Sequence, residues 1–150
     1  MPILKYPLWP DIYLNPDGKT VRHIIDRPKI PIQIGYRKKI HPISAPALAL
    51  VDSGADNNVF PAQWGDSLGI KVVSLPSCFT GAVGDNKVKV YRCEKIKLYI
   101  YGKSLKQPLQ FETEADFCYE QKFPLLGRSG FFNFFKAIRF IKNVEIELEF

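Results

Sequence analysis

An aspartate that directly follows an apolar run is the first feature of this chain that could do chemistry. Residues 47–51 are wholly apolar and lead into Asp52-Ser53-Gly54. Because an unpaired carboxylate is costly to remove from water, such a group is tolerated where it is hydrogen-bonded or where its perturbed ionisation is used. Ser53 supplies a hydroxyl, and Gly54 allows a sharp turn and the close approach of a substrate. The same residue types also form ordinary turns, so the tripeptide alone leaves a plain turn open.

The rest of the chain carries mostly strand patterns, which predict the elements that position this aspartate. Alternating or short apolar runs predict strands at residues 30–36, 47–51, 96–100, 109–112 and 144–150. Turn residues predict two hairpins, one around Asp17-Gly18 and one with a glycine-rich tip at residues 81–86. Pro61 and Gly69 bound one short helix, and residues 127–135 hold a second. The predicted fold class is mostly β with one or two short helices.

Composition and length place the chain among ordinary folded domains. With 150 residues, of which 46% are hydrophobic and 24% charged, one domain is expected, and a disordered or collagen-like chain is excluded. No apolar run approaches the roughly 18 residues of a spanning helix. The first residues lack a basic segment followed by a long apolar stretch, so no signal peptide is predicted. We therefore expect a cytoplasmic protein without a membrane partner.

The net charge of +6 raises the question of nucleic-acid binding. The basic residues are spread along the chain and form no basic helix, zinc-finger spacing or aromatic–basic RNA-binding signature. Charge alone speaks mainly to solubility and non-specific attraction. A solvated basic surface is therefore favoured, and no specific nucleic-acid partner is predicted. A basic β-domain with steeply salt-dependent binding to DNA or RNA stays an alternative.

The cysteines and histidines do not form a recognisable metal or disulfide pattern. Cys78, Cys93 and Cys118 are odd in number and widely spaced, and both histidines lie in the first third of the chain. This spacing provides neither a disulfide framework nor a zinc-binding pair. We expect buried or half-buried thiols, no metal and no cofactor. A hydrolase that uses Cys118 as its nucleophile stays a second alternative.

Two motifs together resemble those of the retropepsin-like aspartic proteases. The segment Ala49-Leu50-Val51-Asp52-Ser53-Gly54-Ala55-Asp56 resembles their active-site motif, and Phe123-Pro124-Leu125-Leu126-Gly127-Arg128 is similar to their hydrophobic-hydrophobic-Gly-Arg motif. The glycine-tipped hairpin lies between the two motifs, where the family carries its flap. Residues 129–135 resemble the short C-terminal helix of prokaryotic members. The resemblance covers residues 29–150 as a protease domain and leaves residues 1–28 as an N-terminal extension with a β-hairpin.

The resemblance implies a closed β-barrel that acts as an aspartic endopeptidase on peptide or protein substrates. This mechanism needs two carboxylates that share one proton and activate a water molecule between them. The chain contains a single Asp-Ser/Thr-Gly tripeptide, so the second carboxylate must come from another copy across a two-fold axis. The expected enzyme is therefore a homodimer with Asp52, Ser53 and Gly54 as its catalytic residues.

The resemblance also implies roles for the neighbouring motif residues. Ser53 would hold the two Asp52 carboxyl groups coplanar. Ala55 and Asp56 would bind the substrate backbone, and Asp56 would pair with Arg128, whose planar fork suits a carboxylate. The other implied residues are the pocket-lining Val59 and Leu125, the flap tip Gly81, Ala82, Val83 and Gly84, and the structural or interface residues Leu126 and Gly127.

One departure from the family and one further alternative follow from the same residues. Asn57-Asn58 occupies a place where many members carry a hydroxyl residue, which points to an altered pocket. The family's fold without its activity is a third alternative, in which the chain is a dimerisation or peptide-binding module. A separation of the two Asp52 carboxyl groups too large for them to share a proton would favour that alternative.

Overall fold

The computed structural model describes residues 2–81 and 87–150, most of which lie in β-strands. The strands are β1 (Ile3–Pro7), β2 (Trp9–Leu14), β3 (Val21–Arg27), β4 (Lys29–Tyr36), β5 (Lys39–His41), β6 (Ala47–Val51), β7 (Val59–Pro61), β8 (Ser77–Gly81), β9 (Lys87–Ile100), β10 (Leu109–Cys118), β11 (Leu125–Leu126), β12 (Ala137–Ile141) and β13 (Glu145–Glu149). The helix α1 spans Ala62–Ser67, and 3₁₀ turns span Val72–Ser74 and Phe132–Phe134. The mostly β fold class is confirmed.

The largest sheet surrounds the main core and carries the motif segments. Its strand order is β5-β4-β6-β11-β7-β10-β9-β8, and β9 also pairs with β4, so the ladder returns to β4. Inside it, Ile32, Leu98 and Phe117 are fully buried. The short strand β11 pairs in parallel with β6 and antiparallel with β7. This arrangement brings the ends of both predicted motifs into adjacent strands.

A second sheet joins the two ends of the chain in the order β1-β13-β12. The alternating apolar residues of β13 pack inward, with Ile146 and Leu148 fully buried. From β1, Leu4 and Tyr6 enter the same core. Because β1 and β12 cover both of its edges, β13 is a central strand of this sheet within one chain.

The hairpin of β2 and β3 forms a two-stranded sheet of its own, as the Asp-Gly step predicts. Asp17 shapes its turn by accepting hydrogen bonds from the backbone N–H groups of Lys19 and Thr20, at 2.8 and 2.9 Å. Gly18 has a φ of +69°, a conformation that suits glycine. Most side chains on both faces of the hairpin are exposed.

Other predicted elements differ in extent from those observed. Residues 88–91 and 96–100, which have separate strand patterns in the sequence, belong to one strand, β9. The pairing of β9 with β10 shifts its register between Thr113 and Ala115, and this irregularity interrupts the alternation of apolar residues along β9. The predicted helix within residues 127–135 is only a 3₁₀ turn at Phe132–Phe134. Strand β6 is less buried than its apolar sequence predicts, since Leu48 and Leu50 are half-buried. None of the helices within the described ranges is long and apolar enough to cross a membrane.

Candidate active site

Asp52 lies immediately after β6, where the chain turns away from β11. Its backbone N–H donates to the Leu126 carbonyl at 2.9 Å, which fixes the start of the loop. Its side chain is half-buried, and Oδ1 accepts a hydrogen bond from the Gly54 backbone N–H at 2.9 Å. Ser53 and Gly54 are exposed at the tip of the loop. The carboxylate is therefore oriented by its own loop and accessible from outside the chain.

The second motif is tied directly to this loop. The backbone N–H of Arg128 donates to the Ala55 carbonyl at 2.9 Å, and that of Ser129 donates to the Asp56 carbonyl at 2.8 Å. The Arg128 guanidinium also lies 2.5 Å from the Asp56 carboxylate. The structure thus brings together the two motifs that are 72 residues apart in the chain.

Gly127 and Asn58 make the close approach of these loops feasible. A Cβ atom on Gly127 would overlap the Asn57 carbonyl and stand 2.9 Å from the Ala55 carbonyl oxygen. The Asn58 side chain is fully buried; its Oδ1 accepts from the Gly127 N–H at 3.0 Å, and its Nδ2 donates to the Glu114 carbonyl at 3.1 Å. The two motifs do not predict these hydrogen bonds of Asn58, although a polar residue just before an apolar strand is a signal for them.

A cavity of about 450 Å³ opens beside the Asp52 loop. Predicted residues that line it are Asp52, Gly54, Ala55, Asp56, Val59, Gly81 and Leu125. Leu126 is instead fully buried opposite Val51. The predicted flap residues Ala82, Val83 and Gly84 lie outside the described residues. Strands β8 and β9 form the wall of the cavity that faces the Asp52 loop, through Thr80, Val88 and Val90.

Asp116 adds a half-buried acidic group to this cavity. Its side chain is 13% exposed and lies 3.1 Å from the Arg92 guanidinium, which also contacts Glu114 at 2.9 Å. Burial raises the pKa of Asp116, and the charge of Arg92 opposes this rise. Asp116 comes next to the site because β10 runs parallel to β7, with Asp116 opposite Val59. Local sequence contains no signal for this placement.

The three cysteines are free thiols in different surroundings. Cys118 lines the cavity but is buried, and burial raises the pKa of its thiol. A nucleophilic cysteine needs the opposite shift, so the surroundings of Cys118 disfavour a thiolate nucleophile. Cys93 is also buried, whereas Cys78 on β8 is exposed, contrary to the expectation of buried or half-buried thiols. Strand β8 is the edge strand of the sheet and, among the described residues, pairs with β9 alone; all five of its residues are exposed, which explains the exposure of Cys78.

Comparison with known proteins identifies the fold. No family model and no curated protein matches the sequence. Among solved structures, the chain is similar to a retropepsin-like aspartic protease from Rickettsia conorii, with a TM-score of 0.57 and 17% identity over 99% of this chain and 92% of that chain. The EIAV protease in complex with the inhibitor HBY-793 aligns with a TM-score of 0.46 and 20% identity, over 68% of this chain and 82% of that chain. Because the first alignment spans both chains almost completely, this protein has the fold of the retropepsin-like aspartic proteases.

Proposed function

We propose that this protein is an aspartic endopeptidase in which two copies each contribute Asp52 to one active site. The observation that carries the proposal is the tie between the Asp52 loop and the Gly127-Arg128 loop beside an open cavity. The retropepsin-like fold supports the same class of enzyme. The closed barrel and the homodimer are parts of this proposal.

In the proposed mechanism, an ionised Asp52 takes a proton from a water molecule held between the two copies. The protonated Asp52 of the second copy donates to the scissile carbonyl oxygen while the water oxygen attacks the carbonyl carbon. The tetrahedral gem-diol then collapses: the newly protonated Asp52 gives its proton to the leaving nitrogen as the C–N bond breaks, and the other Asp52 takes a proton back from a gem-diol hydroxyl. The Gly54 N–H orients Asp52 throughout these steps.

The substrate is an extended peptide that lies along the cavity. Ala55 and Asp56 bind its backbone, while Val59 and Leu125 contact its side chains, as their places in the lining allow. The hairpin of β8 and β9 covers the peptide as a flap, with Gly81 at its described end. We assign this activity to residues 29–150, to which β1 adds a strand. All three cysteines are free thiols, so we propose the cytoplasm as the compartment.

The substitution Asp52→Asn tests this assignment. We expect it to abolish acid-range cleavage of a denatured protein substrate, followed by mass spectrometry of the peptide products, while circular dichroism shows an unchanged fold. Asp66→Asn is the matched control, because Asp66 is exposed on α1 and its amide would still accept from the Tyr119 hydroxyl. A statine-type peptide, which mimics the tetrahedral intermediate, should inhibit the wild type.

Cleavage that persists in Asp52→Asn would end the proposed mechanism. If the wild-type chain dimerises and binds statine-type peptides without cleaving any substrate, the chain is the inactive peptide-binding module instead.

A further inference from the structure

The hairpin of β2 and β3, here called the arm, exposes an unusual amount of apolar surface. Its large apolar residues are between 37% and 57% exposed: Trp9, Ile12, Tyr13, Leu14, Val21, Ile24 and Ile25. A two-stranded sheet is marginally stable when it stands alone in water, and contiguous exposed apolar patches mark interaction sites. The arm therefore has the properties of an element that is completed by a partner.

The two faces of the arm differ in chemistry. On one face, the Asp11 carboxylate binds the side chains of Lys29 at 2.6 Å and Arg27 at 3.4 Å, and the Tyr13 and His23 rings stack at 4.6 Å. This face is held by its own polar and aromatic contacts.

The opposite face, here called the apolar face of the arm, carries two apolar cross-strand pairs beside the pair of Pro10 and Asp26. On it, Ile12 lies directly across from Ile24, and Leu14 lies across from Val21. Ile12 and Ile24 are each 57% exposed. The apolar face is thus the side of the arm that a partner would cover.

A groove connects the arm to the terminal sheet. It has a volume of about 510 Å³ and lies between Ile24 and Ile25 of the arm and Phe140 and Ile141 of β12. Phe140 is 46% exposed there. Its lining also includes one acidic and one basic residue, Asp26 and Lys142, so the groove has no excess of positive charge. It therefore suits protein side chains better than a nucleic-acid backbone, which requires such an excess.

This groove continues to the catalytic loop. A second groove of about 330 Å³ shares Asp26, Pro28 and Phe140 with the first and ends at Asp52 and Ser53. The two grooves therefore form one continuous surface of mixed polar and apolar residues, which runs from the base of the arm to the residues that must face a second copy in the proposed enzyme.

We propose that the arm packs its apolar face on a second copy of this chain and extends the dimer interface beyond the Asp52 loops. The inference rests on the proposed function, because that function puts a second copy beside Ser53. In a two-fold dimer the same surface of each copy is used, so each arm reaches the groove region of the other copy. The arm then adds two equivalent contacts to one interface.

The double variant Ile12→Thr with Ile24→Thr tests the arm. Threonine keeps the β-branched shape and the strand propensity but removes apolar surface. The matched control is Ile43→Thr with Val73→Thr, because Ile43 and Val73 are 88% and 69% exposed outside the arm. In sedimentation equilibrium, we expect the arm variant to dimerise about tenfold more weakly or worse, the factor for about 1.4 kcal/mol of lost contact, and the control to match the wild type.

The wild-type chain supplies a second test that does not depend on a variant. In hydrogen exchange followed by mass spectrometry, backbone amides of residues 9–27 should be protected at dimeric concentrations and exchange faster after dilution to monomer. Equal exchange at both concentrations, or an unchanged dimer dissociation constant in the arm variant, overturns the proposal that the arm lies in the dimer interface. A wild-type chain that stays monomeric at every concentration also overturns it.

The two proposals fail in different measurements. Dimer mass and exchange report on the arm, whereas cleavage by wild type and by Asp52→Asn reports on the peptidase. An active dimer whose dissociation constant is the same in the wild type and the arm variant rules out the arm proposal alone. A dimer that depends on the arm but has no cleavage sensitive to Asp52 removes the peptidase alone.

Discussion

At the scale of single residues, the ion pair of Asp56 and Arg128 is expected to contribute little to stability and more to function. In one chain the two side chains are 79% and 64% exposed, and such surface pairs contribute about 0–1 kcal/mol to stability. Their proposed task is to position substrate beside Asp52. Removing this pair should therefore affect function far more than folding.

Arg128→Lys separates these two effects. Lysine keeps the charge but loses the planar fork, so the free energy of unfolding should change by less than about 1 kcal/mol. In the complex with substrate, which shields the pair from water, the charge-assisted hydrogen bond contributes about 1.5–3 kcal/mol. Its loss should therefore slow cleavage about tenfold or more. Urea unfolding and kcat/KM measure the two effects, with Arg139→Lys on the terminal sheet as the control. Equal loss of both quantities would assign Arg128 a merely structural role.

Asp116 makes stability depend on pH. Because burial raises its pKa in the folded chain, the folded state holds this proton more tightly than the unfolded state does. Its favourable contribution is complete below the ordinary aspartate pKa and is lost as pH rises through the raised value. Asp116→Asn should therefore gain stability relative to wild type in the range above about pH 4, the ordinary aspartate pKa. Urea unfolding across this range measures the difference, and a difference independent of pH would contradict the expectation.

Single residues of the site could be predicted only where a local motif marks them. Asp52, Asp56 and Arg128 stand in recognisable motifs, and the structure places them in one region. No local motif identifies the partners of Asn58 and Asp116, because those partners lie on strands 56 and 24 residues away. Their importance arises from the sheet pairing, which the motifs do not contain.

At the scale of elements, the site depends on two loops that pass each other at backbone distance. Gly127 is the point of closest approach, since its missing Cβ leaves room for the Asn57 carbonyl. Gly81, in contrast, has no atom of the non-adjacent described residues within 4 Å of the position that a Cβ would occupy. The two glycines therefore predict opposite responses to the same substitution.

Gly127→Ala should destabilise the chain by about 1–3 kcal/mol or more, because backbone atoms must move to accept the methyl group. Gly81→Ala should stay within about 0.5 kcal/mol of wild type, as an open surface position. Thermal or urea unfolding of both variants measures the contrast. Tolerance of alanine at position 127 would show that the two loops are not held as close together as described.

The predictability of each element follows from how local its signal is. The turn residues of the arm and the proline and glycine around α1 act over a few positions, and both elements form as expected. Strands β1 and β12 have weak local patterns and are stabilised by β13 between them. Long-range pairing of this kind is not visible in a local window.

At the scale of the whole molecule, the first and last strands are built into one sheet. Ile3 lies opposite Glu149, and Leu4 lies opposite Leu148 within the core. The fold therefore needs contacts between the most distant parts of the chain. The proposed homodimer, in contrast, follows from the two-carboxylate mechanism and the single Asp-Ser-Gly motif, and not from the arrangement of the strands.

Leu4→Ala tests how far the stability of the fold depends on β1. Leu4 is 3% exposed, so its truncation should cost about 2–5 kcal/mol. The neighbouring Ile3 is 41% exposed, and Ile3→Ala should cost less than about 1 kcal/mol. Urea unfolding compares the two variants. Equal small losses would mean that residues 29–150 fold without help from β1.

The exposed thiol of Cys78 makes the hairpin of β8 and β9 accessible to spectroscopy without engineering. Cys78 lies on β8 opposite Val90, while the other two thiols of the chain are buried. A maleimide dye or nitroxide should therefore attach selectively to this strand. In the proposed dimer, the separation of the two labels would report whether the two hairpins lie open or closed around a peptide.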